Sequence, residues 1–191
     1  MKLVFATNNA HKLSEVRNIL SAGYEIVSLE DLGFHGDIAE TGTTLEENSR
    51  IKAQYIHDLY GVDCFADDTG LEIAALNGLP GVYTARWAGE PSDDVKNRQK
   101  ALQEMAGKSD RRARFRTVVT LISQGQTIQV EGVVNGFIAT EEHGTGGFGY
   151  DPLFIPEGYD RTFAELPAST KNAISHRALA MMALKEKLQT L

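Results

Sequence analysis

Strand-like apolar runs over residues 2–7, 25–29 and 63–67 alternate with helix-period patterns over 12–20 and 44–60. Such alternation buries its apolar faces most simply as an α/β arrangement, a largely parallel sheet covered by helices with ligands at the carboxyl ends of strands. The second helix carries a start signal: Thr43 followed by Glu46 matches a capping box, and Leu45, Ile51, Tyr55, Ile56 and Leu59 supply an apolar side. Beyond the turn Gly78-Leu79-Pro80-Gly81, the pattern predicts a helix over 93–106, β-rich runs over 113–123 and 127–137 joined as a hairpin at Gln124-Gly125-Gln126, and a closing helix over 175–191. At 191 residues the chain suits one domain, 1–191, with two lobes expected to share a sheet and face each other across a cleft.

Composition excludes several classes. Hydrophobic residues at 42% and charged residues at 24% leave no case for disorder. No apolar stretch approaches the roughly 20 residues that span a bilayer, so no membrane partner is expected. Met1-Lys2 leads straight into a strand without a signal-peptide pattern. Cys64 is the only cysteine, which rules out an internal disulfide and makes a reducing cytosol the expected compartment. Its neighbours Val62, Phe65 and Ala66 predict a buried, inert thiol. A net charge of -7 argues against binding to nucleic acid, yet a few clustered cations can still build one positive site for a small phosphate ligand.

Five segments carry chemistry-bearing side chains. Thr7-Asn8-Asn9-Ala10-His11-Lys12 stands where a strand gives way to a helix, a position that presents unpaired N–H groups beside a lysine. A solvated polar turn explains the same residues. Asp67-Asp68-Thr69-Gly70 ends an apolar run; neighbouring strand side chains point oppositely, so one aspartate faces the cleft if the strand stays extended, and an Asp-rich turn is the alternative. Glu40 precedes the capped helix, on which Asn48 and Lys52 share a face, either as the helix margin or as part of a site with Lys12 and the acids. In Gly144-Thr145-Gly146-Gly147-Phe148-Gly149-Tyr150-Asp151, the rings suit stacking on a flat base or a return to the core. Arg177 heads a stripe continued by Met181, Leu184, Leu188 and Leu191, a buried setting that asks for a partner or a ligand unless the side chain snorkels.

Together these segments resemble the inosine triphosphate pyrophosphatase family, also known as Ham1-like or non-canonical purine nucleoside triphosphate pyrophosphatases. The resemblance covers nearly the whole chain and rests on Thr7-x-Asn9-x-x-Lys12, on Glu40-Thr41-Gly42 with Glu47-Asn48 and Lys52, on Ala66-Asp67-Asp68-Thr69-Gly70-Leu71, on Gly144 to Pro152, and on Lys171 with Ser175-His176-Arg177. Asn8 stands where many members carry Gly, and Tyr150 where some carry Trp. The resemblance implies an elongated two-lobed α/β fold, a mixed sheet flanked by helices with a central substrate cleft, and usually a homodimer. It implies hydrolysis of ITP, dITP or XTP to the monophosphate and pyrophosphate with Mg²⁺. By the same resemblance Asp68 is the proton acceptor and metal-linked carboxylate, and Glu40 the second metal ligand. Thr7, Asn8, Asn9, Ala10, His11, Lys12 and Lys52 would hold the triphosphate. Phe148, Gly149, Tyr150, Asp151, Lys171, His176 and Arg177 would enclose the base, with Thr69 a further contact.

The implied chemistry is physically coherent. Water attacking the α-phosphorus needs a base within hydrogen-bond reach, while a divalent cation and two lysines neutralise charge on the departing pyrophosphate. Donors such as His176 and Arg177 favour the 6-oxo group of hypoxanthine or xanthine over the amino group of adenine, a mismatch worth about 1 to 3 kcal/mol when buried. A non-catalytic nucleotide-binding module is the first alternative, but it has no use for Asp68 and Glu40 beside phosphates unless a metal intervenes. An aspartyl-nucleophile phosphatase is the second, and Asp67-Asp68-Thr69 lacks its Asp-x-Asp spacing. A pyrophosphatase resembling the Maf family, with another base preference, is the nearest enzymatic rival.

Overall fold

The computed structural model describes all residues, 1–191. Its strands are β1 (Lys2–Phe5), β2 (Glu25–Val27), β3 (Cys64–Ile73), β4 (Pro80–Gly81), β5 (Arg112–Ser123), β6 (Gln126–Ile138) and β7 (Phe154–Pro156). The helices are α1 (Ala10–Ile19), α2 (Leu45–Tyr60), α3 (Asp94–Glu104), α4 (Ala168–Ile174) and α5 (His176–Leu188). One sheet has the order β2-β1-β3-β5-β6-β7, with β4 attached to β3. β1 runs parallel to β2 and β3, whereas β4 is antiparallel to β3 and β7 to β6. The fold is therefore α/β with a mixed sheet: the parallel pairing suggested by the alternation is present at β1–β2 and β1–β3, and β4 and β7 add antiparallel pairs.

The chain forms two compact units, the first from 1–68, 117–132 and 175–191, the second from 69–116 and 133–174. In the first, strand alternation sorts side chains onto two cores. Leu3, Phe5, Phe65, Val119 and Leu121 join Val16 and Leu20 of α1 and Ala180, Met181, Leu184 and Leu188 of α5. The intervening Val4, Cys64, Ala66 and Ile122 pack with Ala53 and Ile56 of α2. In the second unit, Leu71, Ile73, Phe115, Ile138, Phe154 and Phe163 gather with Ala101 and Met105.

Several local expectations change. β3 runs extended through Asp67, Asp68, Thr69 and Gly70, so the Asp-rich turn is not formed. The α2 cap lies one residue later than predicted: Thr44 Oγ1 accepts from Glu47 N, and Glu47 Oε2 accepts from Thr43 N and Oγ1. On α2, Tyr55 and Leu59 are exposed while Asn48, Ser49, Lys52 and Ala53 are buried, so the helix turns a polar strip inward. That strip is satisfied in part by Ser49 Oγ at 2.7 Å from Thr120 Oγ1. The β5–β6 connection is a two-residue turn, Gln124-Gly125, with φ of 51° and 74°. β4, β7 and α4 were not anticipated, being too short to show a period.

Candidate active site

Around the middle of β3, at Asp67 and Asp68, the first unit gathers cations and carboxylates taken from four other segments. Asp67 and Asp68 follow the same alternation as the apolar residues before them. Asp67 lies on the α1/α5 side with Phe65, and Asp68 on the α2 side with Cys64 and Ala66. Lys12 Nζ meets both oxygens of Asp67, at 3.1 and 3.0 Å. Arg177 approaches Asp67 Oδ2 through Nε at 3.4 Å and Nη2 at 3.5 Å, and its Nη1 donates to Glu15. On the other side, Lys52 Nζ donates to Glu40 Oε1 at 2.7 Å and stands 3.7 Å from Asp68 Oδ1.

Each member has a local reason to be there. Asn9 caps α1 by accepting from Lys12 N, and Thr7 Oγ1 accepts from Asn9 N. Asn8 is tied outward, its Nδ2 donating to Gly36 O and Asp37 Oδ1. Ala10 and His11 are exposed in the first turn of α1. The Glu40-Thr41-Gly42 loop is fastened to α2 by Asn48, whose Oδ1 accepts from Gly42 N at 2.8 Å. Ser175 caps α5 and fixes the buried His176 and Arg177 at its start.

The two neighbouring aspartates have opposite proton affinities. Burial alone would raise the Asp67 carboxyl, but Lys12, Arg177 and Lys52 together hold it far below the ordinary carboxylate range. Asp68 is pushed upward, mainly by burial, with Lys52 and Lys12 opposing and Glu40 and Asp67 reinforcing the rise. Lys12 is lowered by burial and by repulsion from Lys52 and Arg177, which outweigh Asp67. Lys52 is raised, because Asp68, Asp67 and Glu40 more than offset its burial. The outcome is a fixed anion at Asp67 and a carboxylate at Asp68 whose proton affinity is enhanced, the direction wanted in a general base.

Glu40 and Asp68 flank Lys52 with carboxylate oxygens, a hard donor set. No group of three or more His, Cys, Asp or Glu side chains gathers as a self-sufficient metal cage. Two carboxylates suit Mg²⁺, which commonly takes one or two protein carboxylates and completes its shell with phosphate and water.

The second unit holds the glycine-rich segment. Asp151 Oδ2 accepts from Phe148 N at 3.0 Å and from Lys171 Nζ of α4 at 2.6 Å. Lys171 Nζ also lies 4.8 Å from the centre of the half-buried Phe148 ring. Gly147 has φ of 68°, and a Cβ there would collide with Asp151 Oδ2, so glycine is required for the carboxylate to close the turn. Tyr150 differs from the stacking expectation. Its ring is 3% exposed within the core of this unit, and its hydroxyl donates to Thr84 O at 2.7 Å. Thr69 is half-buried in β3.

Sequence reasoning missed Glu15 and left the placement of Asn48, Lys52 and Asp67 open. Glu15 lies one turn after Lys12 on α1 and meets Arg177, a pairing that i,i+3 spacing hints at without naming the partner. From the residues alone, Asn48 and Lys52 read either as a helix margin or as part of a site, because no local pattern shows that α2 buries them. Asp67 was one of two equal candidates until the register of β3 separated them.

A profile described as the Ham1 family matches residues 3–187. A protein of Porphyromonas gingivalis named dITP/XTP pyrophosphatase is 51% identical over 188 residues, covering 98% of this chain and 97% of its own. Among solved structures, a HAM1 protein from Coxiella burnetii superposes with a TM-score of 0.90 at 38% identity over 100% of both chains. The Staphylococcus aureus Ham1 protein gives 0.89 at 37% identity over 100% of this chain and 99% of its own.

Proposed function

Because the chain belongs to the Ham1 family, we propose that it hydrolyses non-canonical purine nucleoside triphosphates, ITP, dITP and XTP, to the monophosphate and pyrophosphate, clearing deaminated purines from the nucleotide pool. The observation that carries this reading is Lys52 held between Glu40 and Asp68, beside Lys12 on Asp67. Lys12 and Lys52 bind the triphosphate together with the Thr7 to His11 turn, whose helix terminus favours anions. Asp68 takes the proton of the water that attacks the α-phosphorus. Glu40 and Asp68 hold Mg²⁺, which when bound adds charge neutralisation at the departing pyrophosphate. Phe148 offers its face to the base, while Gly149, Tyr150, Asp151 and Lys171 shape that part of the site. His176 and Arg177, the latter oriented by Asp67 and Glu15, serve the purine 6-oxo edge, and Thr69 adds a substrate contact. We further assign the protein to the cytosol, in line with its single buried thiol, and to a homodimer, which light scattering would read as twice the 20.9 kDa chain.

Asp68→Asn tests the assignment. Hydrolysis of ITP with Mg²⁺ is expected to fall by about 100-fold or more, while calorimetry still detects ITP binding and the wild type releases pyrophosphate. Undiminished turnover in the variant, or stepwise release of orthophosphate by the wild type, overturns it. A panel of ITP, XTP, dITP, GTP, ATP and pyrimidine triphosphates reads base preference directly.

A further inference from the structure

We propose that Asp94 and Arg98 on α3 are positioning residues that hold the glycine-rich segment in its ligand-ready shape. Both lie in the same compact unit as the segment. They are four residues apart and therefore share a helix face. Asp94 Oδ2 accepts from Gly149 N at 2.9 Å, and Arg98 Nη1 donates to Gly149 O at 2.9 Å. The residue whose φ is 61° is thus gripped from both sides by charged groups, its N–H by an anion and its carbonyl by a cation. Arg98 Nε also donates to Glu142 Oε1 at 2.9 Å. One guanidinium therefore ties both ends of the stretch from Glu142 to Gly149, and its side chain is only 14% exposed.

This grip differs in kind from the contacts inside the segment. Asp151 and Lys171 set the Phe148 ring from within, but the glycines leave the backbone around them free to leave that conformation. An arginine suits the outer hold because its rigid fork points Nε and Nη1 at two separate acceptors at once, whereas a lysine presents a single point charge on a flexible stem. Asp94 and Arg98 touch no group assigned to the phosphate chemistry, so their effect belongs to ligand binding rather than to turnover.

The proposal rests on the reading that Phe148 contacts the base, and the experiment separates the two. Arg98→Ala is expected to raise KM for ITP about tenfold with kcat nearly unchanged, since preorganisation by charge-assisted bonds is lost. Arg98→Lys should recover part of that loss. Hydrogen exchange of residues 142–151 should rise in Arg98→Ala while the rest of the second unit keeps its protection, which also shows that the variant is folded. Asp94→Asn, which keeps an acceptor without the charge, should shift KM in the same direction by less. The positioning role is overturned if Phe148→Ala raises KM but Arg98→Ala leaves both KM and exchange of 142–151 unchanged. If exchange rises in Arg98→Ala while neither it nor Phe148→Ala alters KM, the tether stands as structure, and the base-contact reading and the ligand role proposed for the tether both fall.

Discussion

Asp67 and Asp68 show how much one step along a strand changes. Asp67 is an anion stabilised by three cations, and Asp68 is a carboxylate whose charge is opposed by burial. The lowered affinity of Asp67 means that its stabilisation is present above the ordinary carboxylate range and is lost as pH falls through its folded value. The raised affinity of Asp68 has the opposite sign: its charge penalises the folded state at neutral pH, and the penalty fades as the solution is acidified. In EDTA at neutral pH, Asp67→Asn is expected to lower stability by about 3 kcal/mol, because Lys12 loses its carboxylate partner and the buried Arg177 keeps only Glu15. Asp68→Asn is expected to leave the unfolding free energy unchanged or higher, since Lys52 retains Glu40. Chemical denaturation of the two variants checks both, and an equal loss in each would refute the division. The pleat makes the opposition of the two aspartates legible in the sequence. Which of them meets Lys12 depended on the register of β3, which no local pattern supplies.

At the scale of elements, the long regular pieces were readable and the inward face of α2 was not. A period of apolar residues marks Tyr55 and Leu59 for burial, yet the structure buries Asn48, Ser49 and Lys52 because each finds a partner: Gly42 N, Thr120 Oγ1 and Glu40. Polar burial with partners is a tertiary event, invisible to a hydrophobic count. The strand-like run of β3 reads only to Asp67, with an extended strand and an Asp-rich turn both open beyond it; it continues, carrying Leu71 and Ile73 into the second core. Gly132 in β6 is a similar hidden constraint. A Cβ there would collide with His176 O and Ala180 N, so the backbone of α5 lies directly on the strand. Gly132→Ala is therefore expected to cost about 1 to 3 kcal/mol or more through overpacking. It should also disturb His176 and Arg177, and a variant with wild-type stability would show that the helix yields without cost.

The whole chain was legible in class and imprecise in detail. Alternation identified α/β, while the antiparallel additions β4 and β7 come from segments of two and three residues, below the length at which a period shows. Charge was informative in a different way. An acidic chain buries Lys52, Lys171 and Arg177 and half-buries Lys12, each against a carboxylate. No helix is long and apolar enough to cross a membrane.

The thiol of Cys64 has no solvent exposure, donates to Ala53 O at 3.2 Å, and is pushed up to about 12 chiefly by burial. Ellman's reagent is expected to leave the native protein unmodified at pH 8 and to titrate one group after denaturation. The molecule thus comes with a silent background for labelling. A cysteine introduced at a surface position would be the only site a spin label or fluorophore could find, and nucleotide-driven motion could be followed without first stripping the protein of its own sulfur.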